Sequence, residues 1–573
     1  MNTSVKKAAP ISLDSLLDDV STPKRHRPIA PGSSTGRASN LSSSPVPLNG
    51  TPSRPIAPGP SRLHNSSPAN GSPSTPSVPF ASRANKLAVQ ESLNGDLDLP
   101  TSSQRIGDKP RVLLSSTTDP SKYNYRIAYE KPMERSEALD KQIDEAAEAF
   151  RDYYGLDDFG DPGAQSQEDI MAIGRLCPES DNAKMTETST WLESSRMLGS
   201  GSRVLLKFDA DMKVRNAPPG SGGMGMFAGC LVGVKGRNGG GKLFAVNEIW
   251  MMPPIDPSYT RPSEILDREH GEGIKKLGGN PMSVIVAAGP YTVDSDLEYA
   301  PLGALLENAE AERPDVLVLL GPFVDAEHPL IKVGDVDQSP EDLFRSQISA
   351  RLATLLRASP RTNVILIPNG RDMTNAHVAY PQSPFSKEGL GLPKGVRCLP
   401  NPTTFSINEV VFAMTSVDVL FSLRNQEFFR KCGEAHDEEN VVEDPSNKDV
   451  MARTCRHLLR QRSFYPIFPA PLGSKTLSPL NLDITHNELI KMGTSGADVV
   501  ILPSMLKHFT RIVDSTIMVN PSFLTRGESA GTFARFTVHP MAKSELEQLS
   551  TDGGDEMMEH RVYERCRVDI VKV

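Results

Sequence analysis

Acidic and amide side chains follow apolar runs in the second half of this 573-residue chain. Asp325 comes after the run 316–320, and Asn369 and Asp372 come after the run 364–367. Such runs are typical of strands buried on both faces of a parallel sheet, whose carboxyl ends meet at one edge. Carboxylates that converge there can hold two metal ions, which polarise a phosphoester and generate a hydroxide nucleophile. Phosphoester hydrolysis is therefore the first chemistry to consider.

The set of metal ligands is incomplete. Calcineurin-like metallophosphoesterases carry D-x-H, G-D-x-x-D and G-N-H-D/E at successive strand ends, followed by further histidines. Here VAAGPYT, LLGPFVDAEH and IPNGRDMTN stand in those places, and PSMLKHF replaces the last motif. The degenerate positions are Ala288, Pro290, Pro322, Asp325, Asn369 and Asp372. We therefore predict no catalytic residues, no bound metal and no cofactor. Asp325 and His328 are expected to be satisfied by loop hydrogen bonds, and His508 to be a surface or packing residue.

Two glycine-rich segments are similar to phosphate-binding loops. Residues 220–225 match G-x-G-x-x-G, but the residues that follow, MFAGCLVGV, predict a strand where a dinucleotide-binding turn needs a helix. Residues 236–242 approach the P-loop pattern, but Leu243 replaces the Ser or Thr that binds magnesium. We interpret both segments as glycine-rich loops of a barrel.

The elements around these residues predict an α+β multi-domain protein. A helix that Ser136 could cap is predicted by the apolar stripe Leu139, Ile143, Ala146 and Phe150. Between 168 and 254, five short alternating segments separated by Gly, Ser, Asn and Pro indicate an OB-fold β-barrel. From 282 onward, unbroken apolar runs alternate with helical stretches, which indicates an α/β layered domain.

These patterns divide the chain into five predicted segments. They are a disordered Pro/Ser/Gly-rich regulatory tail (1–110), a helical segment that packs on the OB domain (111–167), an OB-fold domain (168–254), a connector (255–281) and an inactive calcineurin-like phosphoesterase α/β domain (282–573). In the tail, 36 of the 60 residues from 21 to 80 are Pro, Gly, Ser or Thr, and none is acidic. Such a composition cannot bury enough apolar surface to fold.

The tail carries candidate regulatory signals. Thr22 and Thr51 each precede a proline in related T-P-x-R/K segments, which makes them candidate phosphorylation sites. The basic residues Lys24, Arg25 and Arg27 form a candidate nuclear import signal. We therefore expect a nuclear phosphoprotein.

Composition excludes other classes. No apolar run is long enough to span a bilayer, and the first 20 residues lack the apolar core of a secretory signal, so we expect an intracellular protein without a membrane partner. The six cysteines form no C-x-x-C pair, and we expect reduced, mostly buried thiols. The net charge is -9, yet the first 110 residues carry +5 and the rest -14. Because an acidic body repels phosphate backbones, DNA contacts should be local or made through partners.

Several long segments resemble one family. They are VIVAAGPYTVDSDLEYAPL (284–302), ERPDVLVLLGPFVDAEHPLI (312–331), LIPNGRDMTN (366–375), LPNPTTFSINEVVFAMTSVDVLFSL (399–423) and MVNPSFLTRGESAGTFARFTVHP (518–540). In this order they are similar to the B subunits of DNA polymerase α, and the likeness extends over roughly 110–573. Members usually begin with a small helical domain, in whose place only 11–20 offers a possible helix here.

The resemblance implies a non-catalytic accessory subunit of the polymerase α–primase complex that supports initiation of DNA replication. It would bind the zinc-bearing C-terminal region of the catalytic subunit, and would meet primase and DNA mainly through the complex. Three alternatives stay open: an unusual phosphodiesterase, the accessory subunit of another replicative polymerase, or an autonomous single-stranded DNA-binding OB protein. The last would stack bases on barrel aromatics, namely Trp191, Phe208, Phe227, Phe244 and Trp250. Their apolar strand contexts favour core packing instead.

Overall fold

The structure is a computed structural model of the whole chain. It describes residues 11–12, 78–100, 107–116, 118–156, 158–180, 183–436, 443–473, 479–493, 495–551 and 554–573. The tail residues Thr22, Lys24, Arg25, Arg27 and Thr51 lie outside these ranges, and so do residues 13–20 of the possible helix at 11–20. The described part of that segment, Ile11–Ser12, is a strand and not a helix, because it pairs with Leu114–Ser116. Among the described residues, no helix is both long enough and apolar enough to cross a membrane.

A closed barrel of five strands forms from the segments that alternate in the sequence. Its strands are Ile170–Pro178, Thr190–Glu193, Arg203–Arg215, Leu231–Arg237 and Leu243–Met251. The long strand Arg203–Arg215 pairs with Thr190–Glu193 on one side and with Leu243–Met251 on the other, and this second pairing closes the barrel. The predicted OB barrel is therefore confirmed.

Two seven-stranded sheets form a sandwich. The first sandwich sheet has the order Val396–Cys398, Asn363–Ile367, Val316–Leu320, Met282–Ala288, Thr532–Val538, Cys566–Lys572, Val89–Leu93. The second sandwich sheet has the order Ile11–Ser12, Leu114–Ser116, Thr403–Ile407, Val410–Met414, Val499–Ile501, Thr516–Asn520, Phe509–Val513. Short two-stranded pairs are Gly223–Met226 with Phe428–Lys431, Tyr259–Thr260 with Met558–Glu559, and Thr525–Arg526 with Ser529–Ala530, and Gly433–Ala435 pairs with the barrel.

The helices cover the outer faces and the ends of these sheets. The α-helices are Pro132–Tyr154, Arg196–Gly199, Pro262–His270, Ala300–Glu312, Pro329–Val333, Pro340–Phe344, Ala350–Ala358, Val419–Gln426, Val450–Arg460, Lys543–Thr551 and Val562–Arg565. A π-helical turn, Arg345–Ser349, and the 3-10 helices Phe80–Ser82, Pro120–Tyr123, Pro445–Lys448 and Ile484–Ile490 complete the described helical elements.

One hydrophobic core fills the sandwich and a second joins the sandwich to the barrel. Val286 and Val318 of the first sandwich sheet pack with Phe412 and Ile517 of the second. The other face of the second sheet packs into the barrel core, where Met518 belongs to the same buried cluster as the barrel residues. Because the barrel and the sandwich share a core, they cannot separate without exposing apolar surface.

The helix Pro132–Tyr154 follows the predicted stripe but not the predicted cap. Ile143, Ala146 and Phe150 are buried against the barrel, which the 3.6-residue period requires. The helix begins four residues before Ser136, since Pro132 is tolerated in its first turn and Lys131 is the residue before it. Ser136 therefore lies inside the helix.

Three predicted segment limits are wrong. The strand Val89–Leu93, assigned to the disordered tail, pairs antiparallel with Cys566–Lys572, because that strand otherwise leaves its edge unpaired. The predicted helical segment contains the strand Leu114–Ser116, which pairs with Thr403–Ile407 of the sandwich. The strand Phe428–Lys431 leaves the α/β segment to pair with Gly223–Met226 beside the barrel.

The segment predicted as a connector is itself folded. It contains the helix Pro262–His270, in which Glu269 is buried. The Arg565 guanidinium donates to Glu269 Oε1 at 2.6 Å and to Glu409 Oε1 at 3.0 Å. These buried contacts of Arg565 link the segment to the second sandwich sheet.

Candidate functional site

Three of the four parallel strands described in the first sandwich sheet end side by side, as the sequence predicted: Met282–Ala288, Val316–Leu320 and Asn363–Ile367. In the register of the sheet, Ala288 lies opposite Leu320, and Leu320 lies opposite Ile367. The first residue after each strand continues the ladder: Gly289 N donates to Leu320 O and Gly321 N donates to Ile367 O, both at 2.8 Å. The degenerate positions that follow these ends therefore lie at one edge.

Backbone and proline fill this edge. Ala288 is fully buried, and the carbonyl oxygen of Pro290 accepts a hydrogen bond from Thr525 Oγ1 at 3.0 Å. A Cβ atom at Gly321 would contact the Asp372 carboxylate and, at 2.8 Å, the Asn369 nitrogen. The loops thus pack so closely that only glycine fits between the strand end and the Asp372 carboxyl group.

Asp372 binds the backbone of two loops. Its Oδ1 accepts from the backbone nitrogens of Phe323 and Val324, the latter at 3.2 Å, and its Oδ2 accepts from Asn369 N at 2.8 Å. Complete burial raises the pKa of Asp372 to about 7, although the three backbone N–H groups oppose that shift. The carboxyl group is a structural junction between the loops after the second and third strands.

Asp325 is paired with an arginine. Its Oδ2 accepts from Arg371 Nη2 at 2.6 Å, and its Oδ1 accepts from Glu327 N at 2.9 Å. Burial raises the pKa of Asp325, and the Arg371 guanidinium partly offsets the rise. His328 donates from Nε2 to Val293 O at 2.9 Å. The prediction that loop hydrogen bonds satisfy Asp325 and His328 is confirmed.

Asn369 joins this edge to the second sandwich sheet. Its Nδ2 donates to Ser416 O at 2.8 Å, and its Oδ1 accepts from Arg371 N at 3.0 Å. Ser416 Oγ accepts in turn from Asn401 Nδ2 at 2.8 Å, and Asn401 is fully buried. The sequence reasoning missed Arg371, Ser416 and Asn401. Arg371 sits next to Asp372 in NGRD, but no local pattern indicates that its partner is Asp325.

A cleft of about 290 Å³ opens beside these loops. Pro322, Asn369 and Arg371 line it together with apolar residues that include Val417 and Phe523. Within the described residues, no group of three or more His, Cys, Asp or Glu side chains is arranged to hold a metal ion.

The last of the candidate side chains is His508. It directly precedes Phe509–Val513, the outermost strand of the second sandwich sheet. Its side chain is half-buried, and this burial lowers the pKa of His508. The prediction of a surface or packing residue is confirmed.

The first glycine-rich segment binds carboxylates of its own chain. Gly222 N donates to Glu434 Oε1 at 2.7 Å and Gly220 N donates to Glu434 Oε2 at 2.9 Å. Gly225 lies against Glu427, where a Cβ atom would also stand 2.7 Å from His457 Nε2. Burial would raise the pKa of Glu427, but hydrogen bonds from His457 and the Arg453 guanidinium outweigh it and lower the pKa to about 2. The backbone N–H groups that would cradle a phosphate are thus occupied.

The second glycine-rich segment is a hairpin loop. It connects the paired barrel strands Leu231–Arg237 and Leu243–Met251, as predicted. Its Gly239 carbonyl oxygen accepts from Gln165 Nε2 at 3.0 Å. The first segment differs from the prediction, since Gly223–Met226 is a strand beside the barrel.

The barrel aromatics divide into two groups. Phe208, Phe227 and Phe244 are buried in the core, as expected, whereas Trp191 and Trp250 are half-buried. The Arg215 guanidinium lies 4.9 Å from the Trp250 ring centre, and Tyr154 packs edge-on against that ring. Four of the six cysteines are buried and all six are free thiols, which confirms the predicted cysteine state.

The chain combines an OB barrel with a two-sheet α/β sandwich whose strand ends carry proline and hydrogen-bonded carboxyl groups. The profile of the B subunits of DNA polymerases alpha and epsilon matches residues 284–511, and the profile of the OB domain of the DNA polymerase alpha B subunit matches residues 136–252. The chain belongs to the family of DNA polymerase alpha B subunits.

Relatives described as B subunits of DNA polymerase alpha align over most of the chain. The Schizosaccharomyces pombe protein is 33% identical over 494 residues, which cover 85% of this chain and 79% of the relative. The Saccharomyces cerevisiae protein is 29% identical, with 84% and 71% covered. The Mus musculus protein is 28% identical, with 76% and 66% covered.

Proposed function

We propose that this chain is the non-catalytic accessory subunit of the DNA polymerase α–primase complex and supports initiation of DNA replication. The observation that carries this proposal is the relationship at 33% identity that extends through both the barrel and the sandwich. Such an extent favours a shared role of the whole body over a role confined to one motif. The chain would bind the C-terminal region of the catalytic subunit and would meet primase and DNA through the assembled complex.

The degenerate edge supports a role without catalysis. Positions 288, 290 and 322 carry Ala and Pro, whose side chains cannot bind metal. The oxygens of Asp325 and Asp372 already accept hydrogen bonds from Arg371 and from backbone N–H groups. These residues do not fit a two-metal centre, which needs carboxylates and imidazoles converging on open coordination positions.

The tail would provide localisation and control. We infer nuclear import through Lys24, Arg25 and Arg27, and phosphorylation of Thr22 and Thr51. A phosphate beside these basic residues adds nearly two negative charges at pH 7 and would weaken their attraction to acidic partners.

Copurification tests the assembly. The full chain co-expressed with the C-terminal region of the catalytic subunit should give a one-to-one complex that survives 0.5 M salt. An obligate interface of about 2,000 Å² or more is apolar at its centre, so a high salt concentration should not dissociate the complex. If the two proteins elute separately at moderate salt, and the chain alone retains single-stranded DNA, the autonomous OB protein is the better assignment.

Metal analysis tests the absence of catalysis. The purified chain, incubated with Mn²⁺ and passed over a desalting column, should retain less than one tenth equivalent of metal and should cleave no phosphodiester. One or two retained equivalents that disappear in the Asp325→Ala and Asp372→Ala variants would contradict the proposal.

A further inference from the structure

A groove runs along the exposed face of the helix Pro132–Tyr154. Its deep end is a cavity of about 380 Å³ between this helix, the barrel and residues 461–468. Its shallow end is a cavity of about 400 Å³ between the first half of the helix and residues 485–488, and Asn487 lines both cavities. We call the two together the helix groove.

The deep end has an apolar floor. Ala146, Ala149, Leu231, Ile467 and Phe468 line it, and they come from the helix, the barrel and the sandwich. A cavity of this volume falls in the range of about 300–1,000 Å³ that is typical of ligand pockets. It has room for a large apolar side chain of a partner.

Ion pairs brace the groove. Lys141 binds Glu488 at 2.8 Å, and Lys491 binds Glu145 at 2.5 Å. They connect the helix to the segment 485–491 that forms the opposite wall. The two walls of the groove are therefore linked by side-chain ion pairs within the chain.

Acidic side chains follow the groove along its whole length. They lie at spacings of three and four residues, which places them on one helix face together with one lysine: Glu134, Glu137, Lys141, Glu145, Glu148 and Asp152. Among the described residues, no ion pair includes Glu137, Glu148 or Asp152. Glu148 and Asp152 are exposed beside the apolar floor. Arg462 and Lys491 also line the deep end. The groove carboxylates outnumber these two cations and Lys141, so the groove carries net negative charge: Glu134, Glu137, Glu145, Glu148, Asp152 and Glu488.

We propose that the helix groove binds a basic segment within the C-terminal region of the catalytic subunit, which inserts a large apolar side chain into the deep end. Apolar burial would supply affinity, and the carboxylates would select lysine or arginine flanks. This inference rests on the proposed function, because the partner is taken from the polymerase complex. It assigns the groove as one contact of that assembly.

Two kinds of variant test the groove. Ala149→Trp fills the deep end, and the double variant Glu148→Lys, Asp152→Lys reverses the charge at its rim. The probe is the purified C-terminal region of the polymerase α catalytic subunit from the same organism, titrated into the full chain at 0.1 M and 0.5 M salt. Ala149→Trp should weaken binding at least tenfold at both salts. The charge reversal should weaken it at least tenfold at 0.1 M salt and less at 0.5 M, since salt screens exposed charges.

Matched controls lie on the helix Ala300–Glu312, on the outer face of the first sandwich sheet. Ala311→Trp and Glu310→Lys change exposed residues of the same types there and should keep the wild-type affinity within twofold. Thermal unfolding should show that all variants fold. Since Glu148 and Asp152 are exposed, the charge reversal remains informative even if Ala149→Trp is unstable.

The outcomes separate the two proposals. If the wild-type chain binds the probe and every groove variant binds equally well, the groove inference is wrong and the proposed function stands. If the same variants instead convert a dimer of the free chain to a monomer, the groove belongs to a second copy, which also overturns the inference. If the wild-type chain does not bind the probe at all, both proposals are wrong.

Discussion

At the scale of single residues, the carboxyl groups of the degenerate edge accept hydrogen bonds from within the chain. Asp372 is 2% exposed and accepts from three backbone N–H groups. A carboxyl group in such a position costs free energy when it ionises, because burial removes its hydration. It is nevertheless useful, since few other side chains accept hydrogen bonds on two sides at once.

The first prediction concerns the protonation of Asp372. Its folded-state pKa of about 7 lies above the unfolded value near 3.9, so the unfolded state binds fewer protons between these pH values and stability falls as pH rises. Asp372→Asn removes this dependence but also removes one accepted backbone bond, since the amide NH₂ cannot accept. The variant should be less stable than wild type at pH 5. The difference in the free energy of unfolding between the two proteins should be smaller by about 2 kcal/mol at pH 8. Urea unfolding at both pH values measures this difference. A difference that does not change with pH would contradict the raised pKa of Asp372.

At the scale of elements, glycine motifs in this chain serve packing. The strand Gly223–Met226 runs against Phe428–Lys431, and the side chains of Glu427 and His457 close over Gly225. In the hairpin of the second motif, a Cβ atom at Gly240 would meet nothing within 4 Å. The two motifs are similar in sequence, but their glycines differ in how much space a side chain would have.

This contrast gives the second prediction. Gly225→Ala should destabilise the protein by about 1–3 kcal/mol, since the new methyl group must displace a buried ion pair of Glu427. Gly240→Ala is the matched control and should stay within about 0.5 kcal/mol of wild type, because it is open to solvent. Thermal unfolding of both variants measures which of them is less stable. Equal destabilisation of both would contradict the packing role of Gly225.

Local sequence patterns were sufficient to predict some of the strands. Apolar and polar residues alternate along Arg203–Arg215, and Val316–Leu320 is apolar throughout. Each pattern indicates within a few residues which side chains are buried, so the barrel and the α/β layers could be predicted. The strand Val89–Leu93 could not, because its sequence VQESL is weakly patterned and its partner lies more than 470 residues later. The pairing of Asp325 with Arg371 was also hidden, since it depends on how two loops meet.

At the scale of the whole molecule, one side of the first sandwich sheet is formed by strands from the N-terminal and C-terminal parts of the chain. Val89–Leu93 covers the edge of Cys566–Lys572, and Ser92 Oγ donates to Asp569 Oδ1 at 2.7 Å. Just before this strand, Arg83 Nε donates to Val573 O at 3.1 Å. An uncovered edge would expose a row of unpaired backbone groups and invite aggregation. The segment from 78 to 100 is therefore part of the folded body.

The last prediction separates that segment from the residues before it. A chain that starts at Val78 loses the two-residue edge strand Ile11–Ser12 and the stretch 21–77, whose composition cannot bury a core, so it should unfold close to the wild-type temperature. A chain that starts at Thr101 loses the edge strand and buried Phe80, whose removal alone costs about 3 kcal/mol or more, and its midpoint should fall by roughly 5 °C or more. In the intact chain, Phe80→Ala should give an intermediate midpoint, because it removes the ring but keeps the strand. Equal midpoints for both truncated chains would show that 78–100 adds nothing to stability and that the sheet edge needs no cover.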